Sequence, residues 1–153
     1  MAQWNIDPAH TSVEFSVKHM MVSTVRGNFS NASGSISFDP ANPAAATVSA
    51  SVPVDTISTG VADRDGHLKS ADFFNAEVNP TIDFESTSVE VSGDSVAKVH
   101  GNLSMNGVTK PVTLDVEFMG QMNSPFGDVR AGFEASTRIN REDWNLTWNQ
   151  ALE

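Results

Sequence analysis

The sequence contains no cysteine and no tyrosine among its 153 residues. The absence of cysteine excludes disulfides, thiolate metal sites, iron–sulfur clusters and a cysteine nucleophile. The absence of tyrosine removes one further side chain that could act as a catalytic acid. Nucleophile-elbow, Walker and dinucleotide-binding glycine motifs are also absent. The sequence therefore offers little support for enzymatic chemistry.

Positive charge is scarce, because 9 lysines and arginines stand against 19 aspartates and glutamates, which gives a net charge of −10. Capture of nucleic acid needs a basic face that neutralises phosphates, so we expect no nucleic-acid partner. Docking on an anionic membrane through a polybasic patch is excluded for the same reason. The length fits a single domain with one core over residues 1–153.

Long apolar runs are missing as well, and a transmembrane helix needs about 20 such residues, so we expect no stable membrane insertion. The segment from Met1 to Pro8 lacks the basic and apolar regions of a secretory signal. We therefore expect a cytoplasmic protein, or a periplasmic one if a leader has been removed.

Alternation of apolar and polar residues runs along most of the chain and predicts half-buried strands. Many strands separated by Gly, Asn, Asp and Pro indicate an all-β fold, an antiparallel sandwich or barrel. The alternating segments are 13–18, 35–38, 47–52, 82–85, 112–118 and 129–139.

Asn106-Gly107 predicts a two-residue hairpin turn, which fixes the register of the strands on both sides. With Met105 opposite Val108, the apolar residues of both strands fall on one face, and Lys110 lies on that face at a barrel mouth. The predicted pairs further from the turn are Leu103 with Lys110, Gly101 with Val112, and Val99 with Leu114. The alternation changes face near Ser86–Ser88 and again between Phe29 and Ile36, where Gly34 is available, so we expect bulges at both places.

One helical segment is predicted, from Val61 to Phe74, because aspartates occupy its first turn and apolar residues recur along one side. It is short and interrupted by Gly66. A single helix inserted among strands is expected to cap or flank a barrel.

The four histidines do not have metal-ligand spacing, so we expect no metal site. Asp63, Asp65 and His67 lie close in sequence and could serve acid–base chemistry. The favoured interpretation is structural, with the carboxylates at the start of the helix and a local ion pair, because a spacing of two residues does not orient a catalytic pair.

The inward-facing residues of such a barrel either fill it or line a cavity for one apolar ligand. Small residues on the inner face leave volume unfilled across from the phenylalanines, which favours a cavity. These small residues are Ala50, Gly101, Ala131 and Ala135.

Read in order, a series of motifs from Trp4 to Trp144 resembles the YceI-like family of polyisoprenoid-binding, lipocalin-like barrels. The series comprises Trp4-x-Ile6-Asp7-x-x-His10-Thr11-x-x-x-Phe15-x-x-x-His19, Arg26-Gly27-x-Phe29, Ile57-Ser58-Thr59, Arg64-Asp65-x-His67-Leu68-x-x-x-Asp72-Phe73-Phe74, Pro80-x-Ile82-x-Phe84-x-Ser86, Gly101-x-Leu103-x-x-x-Gly107-Val108-Thr109-Lys110-Pro111-Val112 and Arg141-x-Asp143-Trp144.

The resemblance implies an extended antiparallel barrel of about eight strands, with one short helical insertion over about residues 61–74. It implies an apolar pore that holds a long isoprenoid or similar lipid, no catalysis and no cofactor, and often a dimer. The residues implied to line the pore are Phe15, Val17, Phe29, Phe38, Phe84, Leu103, Leu114, Val116 and Phe133. Those implied as candidates for a phosphate or other polar head are Arg26, Arg64, His67 and Lys110.

The chain departs from the family at its end, since it stops at Ala151-Leu152-Glu153 where members normally continue into a closing strand. We expect an edge that is left unpaired, which invites dimerisation.

The leading hypothesis is a non-enzymatic barrel that binds a polyprenyl or quinone-like lipid for transport, storage or sequestration. The alternatives are an enzyme acting on such a lipid and a ligand-free, stress-related structural barrel.

Overall fold

The computed structural model describes residues 2–19 and 23–147. Nine strands and one α-helix occur in these two ranges. The strands are β1 (Ala2–Asn5), β2 (Val13–His19), β3 (Ser23–Phe29), β4 (Ser33–Phe38), β5 (Thr47–Pro53), β6 (Thr81–Val91), β7 (Val96–Met105), β8 (Val108–Asn123) and β9 (Val129–Ser136), and the helix is α1 (Ala62–Lys69). Short 3₁₀ turns lie at Pro8–His10, Pro43–Ala45, Val54–Thr56 and Arg141–Trp144.

Seven strands form one antiparallel sheet in the order β1-β4-β5-β6-β7-β8-β9, which curls into a half-barrel. Strands β2 and β3 form a separate antiparallel hairpin. Two backbone hydrogen bonds of 2.9 Å between Asn28 and Ser58 attach this hairpin to the segment before α1. The predicted all-β, antiparallel, lipocalin-like fold with one short helix is confirmed.

The Asn-Gly hairpin has the predicted register, with Met105 opposite Val108 and the three pairs further from the turn as expected. Asn106 and Gly107 have φ angles of 54° and 76°. Positive φ at both central residues defines a type I′ turn, whose twist matches that of the flanking strands. Local turn chemistry therefore sets the pairing of β7 with β8.

The register of β6 against β7 shifts between Ser86 and Ser88, as predicted from the change of face. The expected bulge between Phe29 and Ile36 is wrong, because β3 ends at Phe29 and β4 begins at Ser33 with different partners. Asn31 makes the connection with a φ of 60°, a conformation that Asn tolerates. A strand break, like a bulge, can change which face the apolar residues occupy.

The helix is shorter than predicted, since it ends at Lys69 rather than at Phe74. Ser70 is already extended, and its backbone N–H donates to the carbonyl of His67. Phe73 then reaches the core through a turn, in which it is 4% exposed, so its burial does not require a helix. Of the apolar residues that suggested a longer helix, Phe74 is half-buried by the turn that follows α1, and Ala71 is exposed in that turn.

One end of the half-barrel is filled by a buried cluster, which we call the packed end. It combines residues from the sheet, the β2–β3 hairpin, α1 and the 3₁₀ turn after β9. Its buried members are Phe29, Ala32, Val52, Ile57, Leu68, Phe73, Met105, Trp144 and Leu146. The Trp144 indole N–H donates to the carbonyl of Leu103 at 3.0 Å, so this buried polar group has a partner.

The sequence predicts that the closing strand is lacking at the end of the chain. Residues 148–153 lie outside the described residues, so this stays a prediction. In the described part, β1 and β9 are the two edge strands of the sheet.

The close approach of β7 to β6 at Gly101 yields a stability prediction. A Cβ atom at Gly101 would overlap the carbonyl oxygen of Glu85 and the ring of Phe84, whereas one at Gly66 in α1 meets nothing within 4 Å. Gly101→Ala is expected to destabilise the fold by about 1–3 kcal/mol through overpacking. Gly66→Ala should stabilise it by about 0.5–1 kcal/mol, because alanine favours a helix interior.

Denaturant midpoints of the two variants and the parent measure both effects. Unchanged stability in Gly101→Ala would show that the two strands do not approach this closely.

Candidate functional site

The other end of the half-barrel contains a cavity of about 340 Å³, and we call this the hollow end. Its wall consists mainly of alternate inward-facing side chains of β4–β9. They include Ile36, Val48, Val89, Val99, Leu114 and Phe133. Asp94, in the loop between β6 and β7, is the one ionisable side chain among the described residues that line it. The volume lies at the small end of the range of about 300–1,000 Å³ for ligand pockets.

Three phenylalanines meet across the open side of the half-barrel at this end. Phe38 at the end of β4 lies 5.2 Å from Phe118 and 5.4 Å from Phe133, measured between ring centroids. The rings of Phe118 and Phe133 are 5.3 Å apart. Tilted and edge-on contacts at such distances are favourable beyond the area they bury. This aromatic trio joins β4 to β8 and β9 beside the cavity.

An electrostatic contact links the end of β1 to β9 across the same open side. Arg130 Nη1 donates to Asp7 Oδ2 at 2.6 Å, and His10 Nδ1 lies 2.8 Å from the same oxygen. The hydrogen bond from His10, followed by that from Arg130, lowers the pKa of Asp7 from 3.8 to about 2. The edge strands β1 and β9 are not neighbours in the sheet order. This side-chain contact therefore joins the segment that follows β1 to β9.

Four of the nine predicted pore residues line the cavity, namely Phe38, Leu114, Val116 and Phe133. Phe29, Phe15 and Leu103 belong to or pack against the packed end instead. Phe84 is buried on β6 against Gly101. Val17 is half-buried in the β2–β3 hairpin, opposite Val25. As ligand contacts, all nine remain predictions.

None of the four candidate head-binding cations lines the cavity. Arg64 and His67 share α1, where Arg64 donates to the hydroxyl and carbonyl oxygens of Thr59 at 2.8 and 3.1 Å. His67 Nε2 lies 2.8 Å from Asp72 Oδ2.

The other two cations are exposed on strands, Lys110 on β8 opposite Leu103 and Arg26 on β3 opposite Ser16. Leu103 lies four residues along β7 from Val99, or about 13 Å from the cavity wall. Arg64, His67 and Lys110 are therefore grouped around the packed end, and Arg26 stands apart on the hairpin.

Several lining residues were absent from the predicted pore set. Val99 and Ala97 follow from the register of the Asn-Gly hairpin, and Val89 and Val91 follow once the bulge at Ser86–Ser88 is counted. The two prolines in the loop between β4 and β5 also line the cavity, and no pattern in the sequence indicates this.

A second, more polar hollow of about 230 Å³ lies outside the sheet near the Asn-Gly turn, between Val78 and Gly107. Across residues 2–19 and 23–147, no three His, Asp or Glu side chains come together as ligands for a metal ion. No helix in the same ranges combines the length and the apolar character needed to cross a bilayer.

Comparison with known proteins gives the family. The sequence matches the YceI-like domain over residues 4–153, and the chain belongs to the YceI-like family. A UPF0312 protein of Pseudomonas paraeruginosa is 44% identical over 147 residues, which cover 95% of this chain and 76% of the relative.

Solved structures of related proteins share the fold. The crystal structure of the Campylobacter jejuni YceI protein matches with a TM-score of 0.74 and 33% identity, over 95% of this chain and 85% of that one. A polyisoprenoid-binding domain from Saccharophagus degradans matches with a TM-score of 0.66 and 16% identity, over 94% of this chain and 80% of that one.

The contact between Asp7 and Arg130 predicts a specific acid dependence. Because the pKa of Asp7 is lowered to about 2 in the folded state, its contribution to stability is complete above the ordinary value of 3.8. The contribution is then lost as the pH falls through about 2. Asp7→Asn should therefore be less stable than the parent at neutral pH, and the difference should vanish at the acid end of this window.

Denaturant unfolding at a series of pH values between neutrality and strong acid measures this difference. Asp55→Asn, which replaces an exposed aspartate away from the contact, is the control. A pH-independent difference for Asp7→Asn would contradict the link between the two edge strands.

Proposed function

We propose that the protein binds a long apolar lipid of the isoprenoid class in the cavity and holds it without chemical change. The observation that carries this proposal is the apolar wall of the 340 Å³ cavity at the hollow end. A ligand tail placed there leaves water, which is worth about 25 cal/mol per Å² of apolar surface. The fold is shared with the polyisoprenoid-binding domain of S. degradans, and this suggests the ligand class by analogy.

The size of the cavity sets how much of such a ligand fits. At about 340 Å³ the cavity lies near the lower limit of the range of about 300–1,000 Å³ for pockets that enclose a drug-sized ligand, which is smaller than a long isoprenoid chain. The cavity therefore accepts the end of a long chain. The remainder of the chain leaves through the mouth, or enters the packed end if the cluster there opens.

The charge distribution favours entry of the tail before the head. The wall is apolar, and Arg64, His67 and Lys110 lie around the packed end. A polar head would reach these cations only if the chain ran the whole length of the half-barrel. Head-group binding by these three residues and by Arg26 remains part of the proposal.

The contacts of the acidic helix start support binding rather than catalysis. Asp65 Oδ1 accepts hydrogen bonds from the backbone N–H and the hydroxyl of Thr59 at 2.8 and 2.6 Å. His67 is directed towards Asp72 and stacks edge-on with Phe73, with 5.2 Å between ring centroids. Asp65 is thus engaged with Thr59, which supports the structural interpretation. Transport, storage and sequestration are the roles we propose for the lipid complex.

Native mass spectrometry of the purified protein, followed by organic extraction, tests the proposal directly. We expect a stoichiometric polyprenyl or quinone-like species, or uptake of added farnesol by protein that is purified empty. Protein that carries no lipid and takes up no farnesol would contradict the proposal. That result would favour the ligand-free structural barrel, for which the packed end is the supporting observation.

Filling the cavity should remove binding without unfolding the protein. Ala97 is half-buried on β7, lines the cavity and lies opposite Val116. A phenylalanine ring at this position occupies space that the ligand needs, so Ala97→Phe should weaken farnesol binding at least about tenfold, the equivalent of about 1.4 kcal/mol. Its melting temperature should stay close to that of the parent.

Ala71→Phe is the matched control, because Ala71 is exposed in the turn after α1 and away from the cavity. The control should bind farnesol like the parent. Full binding by folded Ala97→Phe would show that the ligand lies elsewhere.

A further inference from the structure

Strands β8 and β9 continue beyond the rest of the sheet as a two-stranded arm. The last pair between β7 and β8 is Val96 with Glu117, and the backbone N–H of Phe118 still donates to the carbonyl of Ser95 at 2.8 Å. Beyond Phe118, the described partner strand of β8 is β9 alone. The arm therefore comprises residues 118–133. A bulge between Phe118 and Gly120 bends it at its base.

The arm carries large apolar side chains that are exposed. The exposed fraction is 89% for Phe126, 65% for Met122, 58% for Met119 and 46% for Val129. Phe126 lies in the connecting turn. Met122 pairs with Arg130, three residues along β9 from Phe133, and so lies on the opposite face of the arm from Phe133, whereas Val129 shares the face of Phe133. The tip is thus apolar on both faces and at its end.

The turn that carries Phe126 is held by internal hydrogen bonds. The backbone N–H of Ser124 donates to the carbonyl of Asp128 at 2.8 Å, and that of Gly127 donates to the carbonyl of Ser124 at 3.1 Å. The Ser124 hydroxyl accepts from the Phe126 N–H at 3.1 Å and donates to the Asp128 carboxylate. The backbone and hydroxyl groups satisfied in this way can leave bulk water at little cost, whereas the charged Asp128 carboxylate has to stay in contact with water.

Charge in the arm is confined to Asp128 and Arg130, which lie at its tip beside the turn. Residues 118–127 contain no ionisable side chain, in a chain whose net charge is −10. Asp128 is paired with Arg130 at 3.4 Å, and Arg130 is paired with Asp7. The two opposite charges at the tip offset each other, so the tip matches a surface without net charge, whereas an anionic surface repels the acidic chain as a whole.

The apolar surface of the arm is continuous with the cavity. Phe118 and Phe133 at the base of the arm line the cavity wall. Val91 and Val96 line the same cavity and are 47% and 42% exposed. A ligand that leaves the mouth therefore meets the base of the arm.

We propose that the arm inserts its tip into a membrane surface of neutral or zwitterionic lipid, so that the cavity mouth faces the bilayer. This inference rests on the proposed function, since a lipid ligand has to be taken from a membrane and returned to it. Phe126 is the main anchor, and Met122 and Val129 contact the membrane surface beside it. The charged Asp128 and Arg130 stay at the polar level of the lipid head groups. The contact is peripheral and reversible, with binding that scales with the apolar area buried.

A second copy of the chain fits the arm less well. At about 150–250 Å² for a whole large side chain, the exposed fractions of these four leave roughly 500 Å² of apolar surface. A stable interface buries about 800 Å² on each partner.

Flotation of the protein with phosphatidylcholine vesicles tests the inference. We expect binding to these vesicles, weaker binding when phosphatidylglycerol is added, and a loss of about tenfold or more in Phe126→Ala. Phe126 is 89% exposed, so its removal should leave the fold intact. Val78→Ala is the matched control, because Val78 is 70% exposed and lies outside the arm near the packed end.

The absence of cysteine allows a second readout at a single labelled position. An environment-sensitive dye on Asn123→Cys, at the end of β8, should shift its emission to the blue when phosphatidylcholine vesicles are added. The same dye on Val78→Cys should not respond. Vesicle binding without a shift at position 123 would overturn the role of the arm.

Farnesol uptake from aqueous solution separates this inference from the function on which it rests. Phe126→Ala should bind dispersed farnesol like the parent and extract it from vesicles more slowly.

A parent protein that binds farnesol but no vesicles would overturn the inference and leave the proposed function standing. A parent protein that binds neither farnesol nor vesicles would overturn both. A dimer of the parent that Phe126→Ala dissociates in sedimentation, without vesicle binding, would assign the arm to a second copy instead.

Discussion

A curled antiparallel sheet has one concave apolar face, and that face must be covered by side chains, by a second layer or by a ligand. The requirement is physical, because apolar surface left in water costs about 25 cal/mol per Å². In this chain the seven-stranded sheet presents the concave face, and the other elements are arranged around it. How each region of the face is covered decides what that region can do.

Two kinds of cover occur on the same sheet. At the packed end, α1 contributes Leu68, the β2–β3 hairpin contributes Phe29, and the 3₁₀ turn after β9 contributes Trp144. Among the described residues, none from α1, the β2–β3 hairpin or that 3₁₀ turn lines the cavity at the hollow end, where the aromatic trio lies instead. The difference between core and candidate site is therefore a difference in which connections pass over the sheet, because similar apolar residues line both.

The features that could be predicted from the sequence depend on neighbours along the chain. The register from Met105 to Leu114 follows from one Asn-Gly turn. The bulge at Ser86–Ser88 follows because the apolar residues of that strand change there from even-numbered to odd-numbered positions. The end of α1 could not be predicted, because Phe73 enters the core through a turn that depends on tertiary packing.

The candidate site divides in the same way. Leu114 and Val116 line the cavity through a register that the sequence contains. The meeting of Phe38 with Phe133, and the position of Lys110 far from the cavity, depend on how the sheet curls. Alternation gives the face of a strand on which a residue lies, but not the end of the barrel at which that face is hollow.

The contact between Arg130 and Asp7 spans 123 positions of the chain, and it links the two edge strands beside the cavity. A contact of such separation closes a long loop, and this closure costs conformational entropy. Because synthesis starts at the N-terminus, Asp7 cannot form this contact across the open side of the half-barrel until β9 has been made. The space for a ligand is thus among the last features to be completed, and occupancy begins only after most of the polypeptide has been made.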